Sequence, residues 1–396
     1  MKTLKKFVAL MTLAALVAGP AQALAQTTET TVTTGMTFTA GGGTAPVVEA
    51  KWEMDAPYTD YLGTDDSVAP GAQFNAPGVW GQTMNYSICA IVSDANGADS
   101  VNEVAARIYY PDNRPMHTYT YVNGVYTQTE DPDNPSIGCG SFIEKNILVK
   151  ITDPTVAYNL FCNTIKNNNP NLPTWASKYA DATAMYNAIC GEEGMLKKDT
   201  ARVYCDNKYL IWEDPAGEYS VDVTAVDNGG MTSAALNNHF TYLENQGFEV
   251  DFSSVAYGEV LYNTHKVIPG DRTWLPSSSD RPTVRNTGNT RLQLGVAQDD
   301  MGLAKNAGLN HVEFDARVGS GATYAVYYPF KYVTDTTTQP TQSNYAWLNE
   351  ILDLSEVEEM DFSIKLLNTP FDGAKSYSGN MWIAAQRAEF GTCPNG

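Results

Sequence analysis

Hydrophobic and polar positions alternate along short segments of this chain, which is the pattern of β-strands with one buried face. The clearest example lies within residues 215–230, where every second residue from Tyr219 to Ala225 is apolar and turn-forming residues stand at both ends. We interpret this segment as the last strand of a first β-sandwich. Earlier strands of the same sandwich are predicted at Asn85–Asp94 and Val104–Tyr110.

The second half of the chain repeats the alternation. Apolar residues at every second position predict strands at Leu292–Val296, Val312–Ala316 and Phe362–Leu366. A closing strand is predicted within Tyr377–Ala385. This spacing favours a second sandwich that is separate from the first.

Helical spacing occurs in two places. Thr155–Lys166 and Pro173–Cys190 predict an α-helical insertion at about residues 154–200, inside the first sandwich. Apolar residues three and four positions apart predict a linker helix over residues 231–246, with Gly247 just past its end.

These patterns predict a mainly β protein with two β-sandwich domains of Ig-like or jelly-roll-like type. The first occupies residues 48–230 and carries the helical insertion, and the second occupies residues 247–390. Residues 391–396 form a short tail. The two modules are expected to be separable near the linker.

The first 25 residues have the composition of a secretory signal. Three lysines precede an apolar run at Phe7–Ala18, and Ala23-Leu24-Ala25 is the small-x-small pattern that a signal peptidase cleaves. The run is shorter than the roughly 20 residues of a spanning helix. We therefore expect an exported protein without an integral membrane anchor, although an uncleaved signal would act as one.

Residues 26–47 form a Thr- and Gly-rich arm with little to bury. Threonine and valine are good strand formers, so the arm is either a loose tail or a strand that pairs with a sheet edge. Val32, Met36 and Phe38 occupy positions that share one face of a strand, and we take them as assembly candidates.

Six cysteines in an exported chain indicate disulfides. Sequence spacing does not determine their connectivity. We favour Cys162–Cys190 and Cys139–Cys205, which would tie the helical insertion at its tip and at its stem. No C-x-x-C spacing supports a metal site instead.

Catalytic motifs are absent from the sequence: it contains no G-x-S-x-G, H-E-x-x-H, P-loop or G-x-G-x-x-G pattern, and its four histidines are widely spaced. Two acidic groups, Asp299-Asp300 and Glu358-Glu359 with Asp361, are the residues a glycoside hydrolase would use. Adjacent acids on loops are more often simply solvated, so we expect no enzymatic activity.

One turn has donors suited to calcium. Asp94, Asn96 and Asp99 offer oxygen ligands within six residues but lack the bidentate glutamate of an EF-hand. An Asx turn explains the same residues without a metal. Beyond this possible calcium, no cofactor is expected.

The formal charge of −20 disfavours nucleic acid as a partner, because an acidic surface repels phosphate. The 23 tyrosines suit contact surfaces or sugar stacking, although cross-strand packing uses tyrosine equally.

Two regions resemble known modules. The strand-turn-strand CAIVSDANGADSVNEVAARIYYPD and the later GEYSVDVTAVDNGG resemble Ig-like modules of archaeal and bacterial cell-surface proteins. VIPGDRTW, PTVRNTGNTRLQLGV, DDMG, MDFSIKLLNTP and YSGNMWIAA resemble β-sandwich modules of the camelysin and biofilm-fibre type. Both resemblances imply display and contact at the cell surface rather than catalysis.

Three functional hypotheses follow. The first is a non-enzymatic structural protein of the cell envelope, such as a sheath, surface-layer or fibre subunit, whose partner is itself. The second is a secreted adhesin that binds envelope proteins or glycans. An exported glycoside hydrolase is the third.

Overall fold

The structure of the protein is a computed structural model that describes residues 43–58, 72–112, 118–122, 125–129, 140–163, 179–276, 280–303, 311–335, 337–367 and 375–389. The predicted signal peptide and most of the arm, with Val32, Met36 and Phe38, lie outside the described residues, as do Cys139 and the tail. In the described part of the chain, no helix is long and apolar enough to cross a membrane.

The first sandwich is built from two facing sheets, one in the order β1-β3-β9-β8 and the other in the order β2-β11-β10-β4-β7, with a separate hairpin β5-β6. Its strands are β1 Val47–Asp55, β2 Gln73–Asn75, β3 Thr83–Ser93, β4 Val101–Tyr109, β5 Thr118–Val122, β6 Val125–Thr129, β7 Phe142–Ile147, β8 Val149–Lys150, β9 Ala201–Ile211, β10 Gly217–Asp227 and β11 Leu236–Leu243.

Alternation along β10 places Tyr219, Val221, Val223 and Ala225 in the core between the two sheets, as the sequence predicted. Aromatic rings fill the same core, and Tyr219 stacks on Phe240 of β11 at 5.0 Å between ring centroids. Burial of these apolar faces is the main stabilising term of the sandwich.

The helical insertion covers the outer face of the β1-β3-β9-β8 sheet. Helix α1 (Pro154–Tyr158) begins at the N-cap Asp153, continues into a π-helical turn, Asn159–Asn163, and helix α2 (Ala182–Cys190) begins at the N-cap Asp181. Trp52 of β1 packs on Phe161 of the insertion at 5.2 Å between ring centroids. The sheet is therefore buried on both faces, by the second sheet and by the insertion.

The predicted linker helix over residues 231–246 is wrong, because Leu236–Leu243 is strand β11 and pairs along β10 of the first sandwich. The segment at 215–230 is therefore not the last strand of its sandwich. Sheet pairing overrode the helical spacing, since Phe240 and Tyr242 alternate into the core only in an extended conformation.

The second sandwich also has two facing sheets. One has the order β12-β14-β19-β16-β17, with β13 beside β19, and the other has the order β18-β15-β20. Its strands are β12 Phe248–Val250, β13 His265–Ile268, β14 Thr283–Asn286, β15 Leu292–Gln298, β16 Val312–Val318, β17 Ala325–Tyr327, β18 Ala346–Leu352, β19 Val357–Leu366 and β20 Met381–Arg387. The protein is thus mainly β with two sandwiches.

A buried turn at residues 286–289 joins the two sandwiches. The Asn245 backbone N–H donates to Asn289 Oδ1 at 2.7 Å, and the Asn289 amide donates to the Leu243 carbonyl at 2.9 Å. The Ala216 N–H, at the start of β10, donates to the Asn289 carbonyl at 2.8 Å. The described residues from Gly43 onward accordingly form one compact unit.

Candidate functional site

An apolar cleft opens on one side of the second sandwich. In the described part of the chain, β12 is the edge of one sheet and β20 is the edge of the other, and the cleft lies between them. Its volume is about 1020 Å³, at the upper end of the roughly 300–1,000 Å³ of small-molecule sites. A sandwich whose two edge strands leave such a gap exposes part of its core.

The cleft lining comes from alternating positions on the surrounding strands. Met381 and Ile383 of β20 face inward, while Trp382, between them, packs on Phe330 outside the cleft. Strand β19 contributes Ile364 and Leu366 from the opposite sheet. Further apolar lining comes from β12 and the loop after it, Phe248, Val250, Phe252, Val255, Tyr257 and Val260, and from Met301, Leu303 and Tyr377.

The cleft also has polar lining residues, among them Glu259, Lys375 and Asn380. Burial raises the pKa of the Tyr257 phenol well above its usual value, so this hydroxyl stays neutral. An apolar groove beside an unpaired strand edge offers side-chain pockets together with backbone N–H and C=O groups, which is what an added β-strand requires.

The start of the described chain and the cleft lie in different sandwiches. Strand β10 runs from the joint at Ala216 to Asp227, and Gly43 lies beside Asp227 and Asn96 at that far end. Strand β15 runs away from the joint in the other sandwich and ends at Gln298, which lines the cleft. The described chain therefore begins at the end of the first sandwich remote from the joint, and the cleft extends along the second sandwich from Phe248, beside the joint, to Gln298.

The cysteines form two disulfides within the described residues. Cys162 and Cys190 are bonded, which is one of the two pairs favoured from the sequence. The other favoured pair, Cys139–Cys205, is wrong because Cys205 is bonded to Cys89. These two residues lie directly opposite each other on β9 and β3, a register that spacing along the chain does not reveal.

In the turn proposed for calcium, Asp94 Oδ1 and Asp99 are engaged within the protein, whereas Asp94 Oδ2 is buried without a hydrogen-bond partner. The Asn96 backbone N–H donates to Asp94 Oδ1 at 2.7 Å, which is an Asx turn. Asp99 accepts from Lys150 Nζ at 2.6 Å and pairs with Arg202 at 3.3 Å, so two cations already neutralise it. Calcium binding at this turn stays a prediction.

The acidic groups considered for hydrolysis hold loops in place. Asp299 accepts from the backbone N–H groups of Met301 at 3.0 Å and Asn380 at 2.8 Å. Asp300 accepts from Val333 N–H at 2.6 Å.

In the second acidic group, Asp361 pairs with Arg317 at 2.7 Å, and Glu358 pairs with Arg272. These contacts give each of the four acidic residues a structural role.

One histidine cluster was not predicted. On the outer face of β16, Asp315 Oδ2 lies 3.3 Å from His265 Nε2, and Glu313 lies 4.0 Å from it. Ser363 donates to Asp315 at 2.8 Å, and Tyr328 donates to Glu313 at 2.9 Å. The three residues have the donor types of a metal site. Ser363 and Tyr328 already bind one oxygen of each carboxylate, whereas Asp315 Oδ1 is buried without a hydrogen-bond partner. Only the pairing of β13, β19 and β16 brings them together.

Comparisons with known proteins give no family for this chain. No protein-family model matches it, and no curated protein matches it. Among solved structures it is similar to the C-terminal domain of the AgI/II polypeptide BspA of Streptococcus agalactiae (10% identity, 82% of this chain, 91% of that chain, TM-score 0.17). It is also similar to the C-terminal domain of the antigen I/II-family protein AspA of Streptococcus pyogenes (11% identity, 86% and 98%, TM-score 0.19).

Dimeric latent PorU of Porphyromonas gingivalis is a further similar structure (10% identity, 88% of this chain, 24% of that chain, TM-score 0.20). At these TM-scores the similarities support no statement about the fold or function of this chain, which rests on its own residues.

Proposed function

We propose that this protein is an exported, non-enzymatic structural subunit of the cell envelope that polymerises head to tail. The arm at residues 26–42 of one copy adds a β-strand along β20 of the next copy and fills the cleft between β12 and β20. The cleft beside an unpaired strand edge is the observation that carries this proposal.

The arm matches the cleft in pattern and in chemistry. Val32, Met36 and Phe38 share one face of an extended strand with Thr34 and would enter the gap, while Thr33 and Thr37 face outward. The backbone of the arm would pair with the free edge of β20. Each such hydrogen bond contributes only about 1 kcal/mol net, so several must act together with the apolar contacts.

The arm and the cleft belong to different sandwiches, which favours an intermolecular contact. The described chain begins beside Asp227 in the first sandwich, and the cleft lies in the second sandwich. A donor on one sandwich and an acceptor on the other form a heterologous contact between copies, which propagates into a filament when the rotation does not close.

The test compares the secreted chain with a variant that begins at Gly43. Size-exclusion chromatography and negative-stain microscopy should show filaments or large assemblies for the full chain and folded monomers for the truncated one. A point variant, Ile383→Arg, places a charge in the cleft and should also abolish assembly without removing the arm. Tyr209→Ser, at a tyrosine of the first sandwich that is 63% exposed, is the matched control and should assemble normally.

Assembly of the truncated chain to the same size as the full chain would overturn the proposal. The alternative adhesin function is favoured if the full chain stays monomeric and binds glycan or protein through the exposed tyrosines of the second sandwich, Tyr262, Tyr328 and Tyr332.

A further inference from the structure

A lysine, a glutamate and an asparagine meet in the core of the first sandwich. Lys51 and Glu53 lie on β1, and both side chains are completely buried. Asn238 lies on β11 and is 9% exposed. Their strand neighbours, Ala90 and Val221, belong to the apolar core between the sheets. Burying such groups is costly unless each has a partner, so their arrangement needs an explanation.

Glu53 bridges the other two side chains. Lys51 Nζ donates to Glu53 Oε1 at 2.7 Å, and Asn238 Nδ2 donates to Glu53 Oε2 at 2.8 Å. The amine and the amide are therefore held on the two oxygens of one carboxylate. The amide oxygen, Asn238 Oδ1, is buried and has no hydrogen-bond partner.

Burial favours the uncharged form of Lys51. It lowers the pKa of the Lys51 ammonium, and this effect exceeds the opposing influence of Glu53. Transfer of one proton from Lys51 to Glu53 across their hydrogen bond leaves a neutral amine, which is a nucleophile, and a neutral carboxylic acid. The core excludes water, so hydrolysis does not compete with the amine.

We propose that Lys51 and Asn238 form an intramolecular amide cross-link within this core, with Glu53 as the proton carrier. No external oxidant, cofactor or activated group is needed, because the side-chain amide of Asn238 is itself the acyl donor. The proposal does not depend on polymerisation.

The reaction balances with ammonium as the product. Glu53 takes a proton from Lys51 Nζ through Oε1, and the nitrogen lone pair attacks Asn238 Cγ to form a C–N bond. The tetrahedral intermediate then breaks the bond from Cγ to Nδ2. Glu53 gives the leaving nitrogen a proton through Oε2, the site where Nδ2 already lies. The second proton of the attacking amine ends on the ammonia, and Glu53 returns to its carboxylate form.

Geometry supplies the rate advantage. Free amines attack unactivated amides very slowly in water, but two groups held together on a shared carboxylate react at a high effective concentration. The lysine is on the first strand of the sandwich and the asparagine is on its last strand. The cross-link would therefore connect β1, which follows the arm, to β11, which precedes the second sandwich. A pulling force along the chain would then pass through the cross-link and not through the strands between β1 and β11.

The mass of the purified, exported full chain tests the proposal. After reduction of the disulfides, the intact mass should be lower than the sequence mass by one ammonia molecule, and digestion of the denatured protein should give a branched peptide that joins Lys51 to Asn238. A succinimide at Asn238 gives the same intact mass but only linear peptides, so the branched peptide decides. Recovery of linear peptides that contain Lys51 and Asn238 as the main species would overturn the proposal.

Two variants define the roles of the side chains. Glu53→Gln removes the proton carrier at nearly constant volume, and Lys51→Arg keeps the charge but removes the nucleophilic amine; each should have the full mass and no branched peptide. Asn237→Ala, at the exposed neighbour of Asn238, is the control and should keep the mass deficit. A mass deficit in the Lys51→Arg variant would contradict the assignment, and the wild-type measurement stands if a variant fails to fold.

Discussion

Asp214 is a buried carboxyl at the base of β10, close to the joint between the sandwiches. The Ile211 N–H donates to its Oδ2 at 2.8 Å, and the Tyr110 hydroxyl donates to its Oδ1 at 3.3 Å. Burial outweighs these hydrogen bonds and raises the pKa of Asp214 to about 7. The fold therefore accommodates the neutral carboxyl better than the carboxylate.

Stability should consequently fall as the pH rises through 7. An aspartate in an unfolded chain has a pKa of about 3.9, so the contribution of Asp214 is fully present below that pH and is lost as the pH rises through the folded value of about 7.

Asp214→Asn should raise the free energy of unfolding at pH 8 by at most about 4 kcal/mol, at about 1.4 kcal/mol for each pKa unit, and the gain should vanish near pH 4. An asparagine can accept from Ile211 and donate to Tyr110, so the local contacts survive. Thermal melts between pH 4 and 8 measure the effect, with Asp112→Asn at an exposed position as the control. A gain that is equal at both pH values would show that the substitution acts through packing.

At the scale of elements, the helical insertion completes a core that β1, β3 and β9 begin. Its buried residues include Leu160, Phe161, Met185 and Ile189. The two helices are short, and isolated helices of this length are not stable in water. The disulfide between Cys162 and Cys190 therefore helps to hold the insertion on the sheet. The two cysteines are 28 residues apart in sequence.

Replacing both Cys162 and Cys190 by alanine should lower the free energy of unfolding by about 2–5 kcal/mol, because the unfolded chain regains the conformations that the disulfide excluded. Differential scanning calorimetry should show a lower melting temperature, and a dye for apolar surface should bind more strongly as the insertion detaches. Glu192→Ala, at an exposed surface pair with Lys197, should change neither. An unchanged melting temperature in the double variant would mean that apolar packing alone holds the insertion.

At the scale of the whole molecule, the joint is built from backbone hydrogen bonds and stacked side chains. The guanidinium of Arg285 lies 4.9 Å from the ring centroid of Trp80 in the first sandwich and 3.8 Å from that of Trp274 in the second. Arg387 pairs with Glu244 at 3.0 Å across the same joint. A joint of this kind should resist bending between the two sandwiches.

Asn289→Ala should loosen this joint while leaving both sandwiches folded. It removes the side-chain bonds to Asn245 and Leu243, and the chain between Leu243 and Phe248 should then become a protease site. Limited proteolysis followed by mass determination should show cleavage there at least several times faster than in the wild type. Asn228→Ala, in an exposed turn at the other end of β10, is the control. Equal cleavage rates would show that the buried turn is not what protects the segment.

The sequence by itself determined the mainly β architecture and many of its strands. Alternation along β10, β15, β16 and β19 is a local property, since each strand buries one face whatever its partner is. One disulfide was predicted for a similar reason, because Cys162 and Cys190 belong to one local pair of helices.

The tertiary structure alone decided the features that depend on partners distant in sequence. Strand β11 has a polar residue, Asn238, at an inward position, so its apolar residues do not alternate strictly. The sequence pattern therefore predicted a helix instead of a strand. In the structure, the hydrogen bond from Asn238 to the Glu53 carboxylate makes a polar residue acceptable at that buried position. Lys51 and Glu53 alternate with Trp52 like outward residues of β1, yet both faces of the sheet are covered. Likewise, the pairing of Cys89 with Cys205 and the cleft beside β20 depend on strand order. Strand order is set by long-range packing, which the local sequence pattern does not encode.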